Sequence, residues 1–147
     1  MNVIERDFDI DEFLTRPLFA HLATTGEQGP CESPVWFLCE DGALWMIADS
    51  QSSFPKRIVA DPRCAIGIVD FDLDRGGLQH LGMRGRATVE PADPARLERF
   101  IARYLGPKET WNVRFKEQVV DRQDMMVRFL PETIVARDQS YFRNEAR

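Results

Sequence analysis

Leu78-Gln79-His80-Leu81-Gly82-Met83-Arg84-Gly85-Arg86-Ala87-Thr88-Val89-Glu90 is the stretch on which the reading of this chain turns. Leu81, Met83, Gly85, Ala87 and Val89 alternate with His80, Gly82, Arg84, Arg86, Thr88 and Glu90. Successive side chains of a strand point to opposite faces, so the first set meets a core and the second does not. His80, Arg84 and Arg86 then share one face, a cationic row able to meet an anion or a reduced, negatively charged ring. The same row also suits a solvent-facing strand with paired charges, and spacing alone leaves both readings open.

The neighbouring segments are strands too. Cys64 to Phe71 is an apolar run joined to Leu78–Val89 by the polar loop Asp72 to Gly77. Upstream, Leu18 to Thr25 ends at Gly26-Glu27-Gln28-Gly29-Pro30, and Glu32 to Cys39 turns at Glu40-Asp41-Gly42 into Ala43 to Ala48. Asp-Gly between two apolar runs is a hairpin signal. Downstream, Met125 to Leu130 and Thr133 to Arg137 read as a closing hairpin across Pro131-Glu132. Four helical segments are expected around these strands. Asp9 caps a short one that Pro17 closes, and another runs from about Ser53 to Ala60 before Asp61-Pro62. The clearest starts at Asp93-Pro94, places Leu97, Phe100, Ile101, Tyr104 and Leu105 on one face, and stops at Gly106-Pro107. The last runs from Lys108 to Val120. Strands that come in hairpins, without strand–helix–strand alternation, predict an antiparallel barrel with peripheral helices, of a mainly β (α+β) class.

The 147 residues, 44% hydrophobic and 29% charged, fit one domain spanning residues 1–147. A net charge of −5 repels phosphate backbones and excludes general nucleic-acid binding. The segment Met1 to Asp11 lacks an apolar signal core and no apolar run approaches the roughly 20 residues of a membrane span, so a cytoplasmic protein is expected. Cys31, Cys39 and Cys64 form no CxxC pair and each lies in an apolar strand-like run, which reads as buried, inert thiols and not as a disulfide or zinc framework. His21 and His80 have no ligand-spaced partner, so no metal site is expected. Asp70, Asp72 and Asp74 suggest a calcium loop, but Arg75 and Leu81 stand where its glycine and glutamate belong.

Two further segments bear on chemistry. Ser52-Ser53-Phe54-Pro55-Lys56-Arg57 lies between a strand and a helix, where hydroxyls, helical N–H groups and two cations suit a phosphate. A Ser-capped surface helix would look the same. Ser33-Pro34-Val35-Trp36-Phe37-Leu38 is apolar on both parities, implying burial on both faces or at an interface. Trp36, Phe37 and Trp45 suit either plain core or a slot for a flat ligand. One pocket drawing on all three segments would suit a flat, phosphate-tailed cofactor.

From about Phe13 to Val89 the chain resembles the pyridoxamine 5′-phosphate oxidase-like family of flavin mononucleotide (FMN)-binding split barrels. The likeness is carried by His21-Leu22-Ala23-Thr24-Thr25, Pro34-Val35-Trp36-Phe37, Asp61-Pro62-Arg63 before an apolar strand, and Arg84-Gly85-Arg86-Ala87, in that order. The resemblance implies a six- to seven-stranded antiparallel split β-barrel and a homodimer with two FMN sites at the subunit interface. It implies that Ser33, Val35 and Trp36 lie along the flavin ring, Ile47 and Ala48 near its ribityl side, and Ser52 and Ser53 at its phosphate, with Lys56 and Arg57. His80 falls where the oxidase sets a glutamine against the flavin, so His80 or Arg84 would face the pyrimidine end. The sequence also departs from the family. Phe54 occupies a position that is usually basic, Ser33 stands at a frequent arginine, and the C-terminal Arg-x-His substrate motif is absent. The resemblance therefore implies a flavin-dependent oxidoreductase acting on another small molecule, with no catalytic side chain assigned. A deazaflavin, haem or bilin in the same fold, or a non-enzymatic flavin-binding protein, are the alternatives. For haem, His80 would be the nearby histidine, with His21 expected to face elsewhere.

Overall fold

In the computed structural model, which describes residues 1–49, 51–120 and 125–143, the strands are β1 (Asn2–Arg6), β2 (Ala20–Gly26), β3 (Gly29–Val35), β4 (Leu38–Glu40), β5 (Ala43–Ala48), β6 (Arg63–Asp72), β7 (Gly77–Pro91) and β8 (Met125–Asp138). The helices are α1 (Ile10–Phe13), α2 (Phe54–Ala60), α3 (Pro94–Leu105) and α4 (Val113–Val120), with a 3-10 turn at Lys108–Thr110. The strands form one eight-stranded sheet in the order β3-β2-β6-β7-β8-β5-β4, antiparallel along that path, and β1 runs parallel to β8. The path begins at β3 and ends at β4, which follow one another with only Trp36 and Phe37 between them. One stretch of chain thus pairs with β2 through its first half and with β5 through its second, which closes the sheet into a split barrel. Among the described residues, no helix is long and apolar enough to cross a membrane.

The local signals act as their chemistry dictates. Asp9 accepts the Glu12 N–H at 3.2 Å and Asp93 accepts the Ala95 N–H at 3.0 Å, capping α1 and α3. Asp41 and Gly42 have φ of 55° and 73°, the left-handed pair that a two-residue hairpin between β4 and β5 requires. On β7, Leu81, Met83 and Ala87 are buried while Arg84, Arg86 and Thr88 are exposed, so the alternation runs as read. Phe13, Leu22, Phe37, Leu44, Met46, Ile66, Ile68, Leu81 and Phe129 fill the barrel. A second cluster lies behind β5, where Ala43, Trp45 and Met126 pack on Phe100 of α3. That packing explains why β5 is buried on both parities.

Five expectations are corrected. The closing hairpin is the single strand β8, and Pro131 sits inside it at a bulge opposite Gly85. Proline lacks an N–H, and the register shift between Arg84 and Gly85 absorbs that gap without a turn. Glu32–Cys39 is not one strand but β3 and β4, and Lys108–Val120 is a 3-10 turn followed by α4. Strand β1, which no sequence signal singled out, raises the count to eight. Of the cysteines only Cys64 is buried; Cys31 is half-buried and Cys39 is exposed. Burial, reinforced by Asp61, pushes the Cys64 thiol up to about 11.

Candidate functional site

The interruption between β3 and β4 builds an aromatic slot. At Trp36 and Phe37 the chain changes partners and leaves the Phe37 amide outside both ladders. The Tyr104 hydroxyl, brought there by α3, accepts that N–H at 2.9 Å and donates to Leu18 O at 2.8 Å. Burial raises the Tyr104 pKa, which keeps the donor protonated. Its ring lies flat on Trp36, with centroids 4.5 Å apart and planes 4° apart, and Phe115 of α4 lies 6.0 Å from Trp36 on a near-parallel plane. Neighbouring Arg103 locks the same corner. It donates to the carbonyls of Leu14, Thr15 and Arg16 at 2.9, 2.9 and 2.6 Å, and its guanidinium lies over Phe37. The resulting cavity is about 410 Å³, bounded by Phe19, Pro34, Val35, Trp36, Ile47, Ser52, Phe54, Arg114 and Phe115.

One end of the slot runs into the turn before α2. Ser53 Oγ accepts from Arg57 Nη1 at 3.0 Å, while Arg57 Nε donates to the buried Thr24 hydroxyl at 2.7 Å. Arg57 is thereby held against the turn, and Lys56 is exposed beside it. Phe54, at the family's basic position, turns inward and is buried. α2 has only seven residues and no side-chain cap, so anion binding here rests on the hydroxyls and the two cations. Asp49 opposes it: its carboxylate accepts the Gln51 and Ser52 N–H groups at 2.8 and 3.1 Å, and Asp49 N–H donates to Ser52 Oγ.

His80 and Arg84 lie elsewhere. They line a cleft of about 520 Å³ on the outer face of β2, β6, β7 and β8, together with His21, Ala23, Ala65, Gly67, Gly82 and Arg137. The His80 ring covers a glycine floor, since a Cβ on Gly82 or Gly67 would stand 3.3 or 3.8 Å from it. His21 pairs with Glu32, and Arg137 with Glu5 at 2.9 Å. A neighbouring cleft that shares Arg84 adds Arg63 and Arg86.

Within one chain, then, the residues expected in a single pocket divide between two. Val35, Trp36, Ile47 and Ser52 line the slot, with Ser53, Lys56 and Arg57 at its end, whereas His80 and Arg84 line the outer cleft. Ser33 lies on β3 opposite Leu22 and is not among the slot residues, and Ala48 is buried in the barrel. His21 does not face away from His80 but shares its cleft. Tyr104, Arg114 and Phe115 carry no local sequence signal as site residues, because α3 and α4 reach the slot only through tertiary packing. The apolar face of α3, which includes Tyr104, was the one available hint.

A family model described as Pyridoxamine 5′-phosphate oxidase matches residues 8–134, which extends past the quoted sequence pieces at both ends. No curated protein matches the sequence. Among solved structures, a conserved hypothetical protein from Mycobacterium tuberculosis superposes with a TM-score of 0.70 at 22% identity, over 91% of this chain and 89% of its own. An F420 reductase gives a TM-score of 0.65 at 23% identity, covering 89% and 98% of the two chains. The haem storage protein HutZ from Vibrio cholerae gives 0.67 at 16% identity, covering 93% and 97%. At these identities the structures share the fold with this chain.

Proposed function

Because the chain belongs to the pyridoxamine 5′-phosphate oxidase family, we propose that it is an FMN-dependent oxidoreductase that works as a homodimer on a substrate other than pyridoxamine 5′-phosphate. The observation that carries this reading is the slot, where an apolar and aromatic wall of Val35, Trp36 and Ile47 meets a hydroxyl turn braced by Arg57. These residues fit the cofactor: a flat ring needs the wall, and a phosphate needs the turn. Bound FMN would supply hydride or electron transfer.

The protein's own residues bind, orient and shield. Trp36, held flat by Tyr104, fixes the plane on which a ring lies, and Phe19, Phe54 and Phe115 keep water from it. Ser52 and Ser53 offer hydroxyls, while Lys56 and Arg57 offset the phosphate charge against the unfavourable Asp49. Two features support a homodimer. β3 is nowhere fully buried although Val35, and Trp36 just beyond it, are apolar, and the small-residue floor of the outer cleft, flanked by His80 and Arg84, leaves room for another surface. A second copy laid there would bring the two groups of site residues together.

The test is to incubate the purified chain with FMN, remove the excess, and record the visible spectrum and the mass in solution. Retained flavin on a dimer is expected, with loss of retention in the K56A/R57A double variant. A monomer without flavin, or unchanged retention in the variant, refutes the reading. A haem-binding reading has one observation of its own, the pairing of His21 and His80 in a single cleft. It predicts a Soret band after incubation with haemin that is lost in H80A.

A further inference from the structure

Of the residues that line the aromatic slot, Arg114 alone carries a formal charge. Arg16, Arg63, Arg86, Arg96, Arg99 and Arg137 are each tied to a carboxylate. Arg114 has no such ion pair among the described residues, and its guanidinium lies 5.5 Å from the centre of the Phe115 ring. An aromatic face steers a guanidinium without neutralising it. A single exposed cation is thus held at the edge of a slot whose wall is a flat aromatic stack.

From this geometry we infer that Arg114 is a specificity residue, anchoring the carboxylate of a flat, apolar substrate at the Phe115 edge of the slot, beside the ring plane that Trp36 fixes. A guanidinium is a planar fork that matches a carboxylate with two parallel hydrogen bonds. One cation balances one negative charge, so a monoanion fits the slot better than a dianionic phosphate. The phosphate-suited groups Ser52, Ser53, Lys56 and Arg57 sit at the α2 turn, where one end of the slot runs. Phe19, Pro34, Val35, Ile47 and Phe54 supply no competing polar group, and the Ser52 hydroxyl lies at the α2 turn, so the charged anchor is Arg114. The inference rests on the cofactor reading only for the chemistry that follows binding.

The probes are 2-naphthoate and its neutral counterpart 2-naphthamide, titrated into the full chain by equilibrium dialysis, with FMN retention measured in parallel. Wild type binds naphthoate more tightly than naphthamide. R114A weakens naphthoate about tenfold, the size of one charge-assisted contact at a partly wet site, and R114K recovers part of the loss. Naphthamide binding stays unchanged in R114A. Absent naphthoate binding, equal affinity for the two probes, an unaffected R114A, or an R114A that loses FMN instead would each overturn the assignment. Failure of wild type to retain FMN, with naphthoate discrimination intact, refutes the cofactor reading and leaves this one standing. Arg114 is exposed and caps nothing, so a folding defect in R114A is not expected, and circular dichroism checks it.

Discussion

Replacing Gly85 with alanine should be the most damaging single-methyl change in the barrel. Gly85 lies in β7 at the bulge, opposite Pro131, and a Cβ built there would stand 2.0 Å from Leu130 O, 2.9 Å from Leu130 C and 3.0 Å from Pro131 Cα. All three atoms are backbone, so no side chain can swing away. A carbon needs about 3.3 Å from a carbonyl oxygen, so β7 and β8 must part by more than an ångström. That exceeds what a ladder hydrogen bond near 2.9 Å tolerates. Losing about two such bonds, and stranding their partners in a buried sheet, costs about 3–5 kcal/mol, a large share of a typical domain's roughly 5–15 kcal/mol. The control is Gly42→Ala, where φ is +73° but nothing lies within 4 Å of the added carbon. It pays only the left-handed backbone cost of about 1–2 kcal/mol. Urea unfolding followed by tryptophan fluorescence measures both. A loss below about 1 kcal/mol for Gly85→Ala with an unchanged m-value, or a loss no larger than that of Gly42→Ala, would show that the strands are not packed as described.

Tyr104→Phe keeps the ring on Trp36 but strands the Phe37 N–H and Leu18 O, costing about 1–3 kcal/mol; urea unfolding showing under about 0.5 kcal/mol would exclude that role for the hydroxyl. Hydrogen bonds from Arg99, with Arg96 beside it, hold the Glu40 carboxyl below its usual value. The contribution of Glu40 is therefore fully present above the ordinary carboxylate range and is lost as pH falls through and below it. Glu40→Gln should then lower Tm more at pH 7 than at pH 3, and a pH-independent difference counts against the cluster. If the α2 turn takes a phosphate, Asp49→Asn removes an opposing charge and should tighten FMN binding about two- to fivefold in low salt, as read by flavin fluorescence titration. Weaker or unchanged binding argues for another phosphate position.

Which parts of the molecule were legible follows from the range of the interactions that set them. Asp41-Gly42, Asp93-Pro94 with Gly106, and the alternation over residues 78–90 are local instructions, and each produced its element. β1 carries no such instruction. No residue of Asn2–Arg6 is fully buried, and its partner Thr133–Ala136 lies some 130 positions away. Pro131-Glu132 reads locally as a turn, and only the absent side chain of Gly85, 46 positions earlier in the chain, lets the proline stay inside β8. The slot divides in the same manner. Val35, Trp36, Ile47 and Ser52 could be named because they sit on or beside strands with a recognisable order, whereas Tyr104 and Arg114 belong to helices whose docking no local pattern specifies.

Closure of the barrel and formation of the slot are one structural event. A strand that serves two edges must stop pairing with β2 before it starts pairing with β5, and the two residues at that change of partner cannot satisfy their backbone groups within a ladder. α3 meets that need with the Tyr104 hydroxyl, and in doing so lays a phenol ring behind Trp36. Phe37 turns into the core while Trp36 stays half-exposed, since adjacent residues of extended chain face opposite ways. A flat aromatic surface is therefore a product of closing this sheet, and the exposed Arg114 that α4 adds at its edge is free to vary without disturbing the barrel. Changes to Tyr104 should consequently register in stability and ligand binding together, while changes to Arg114 should register in binding alone.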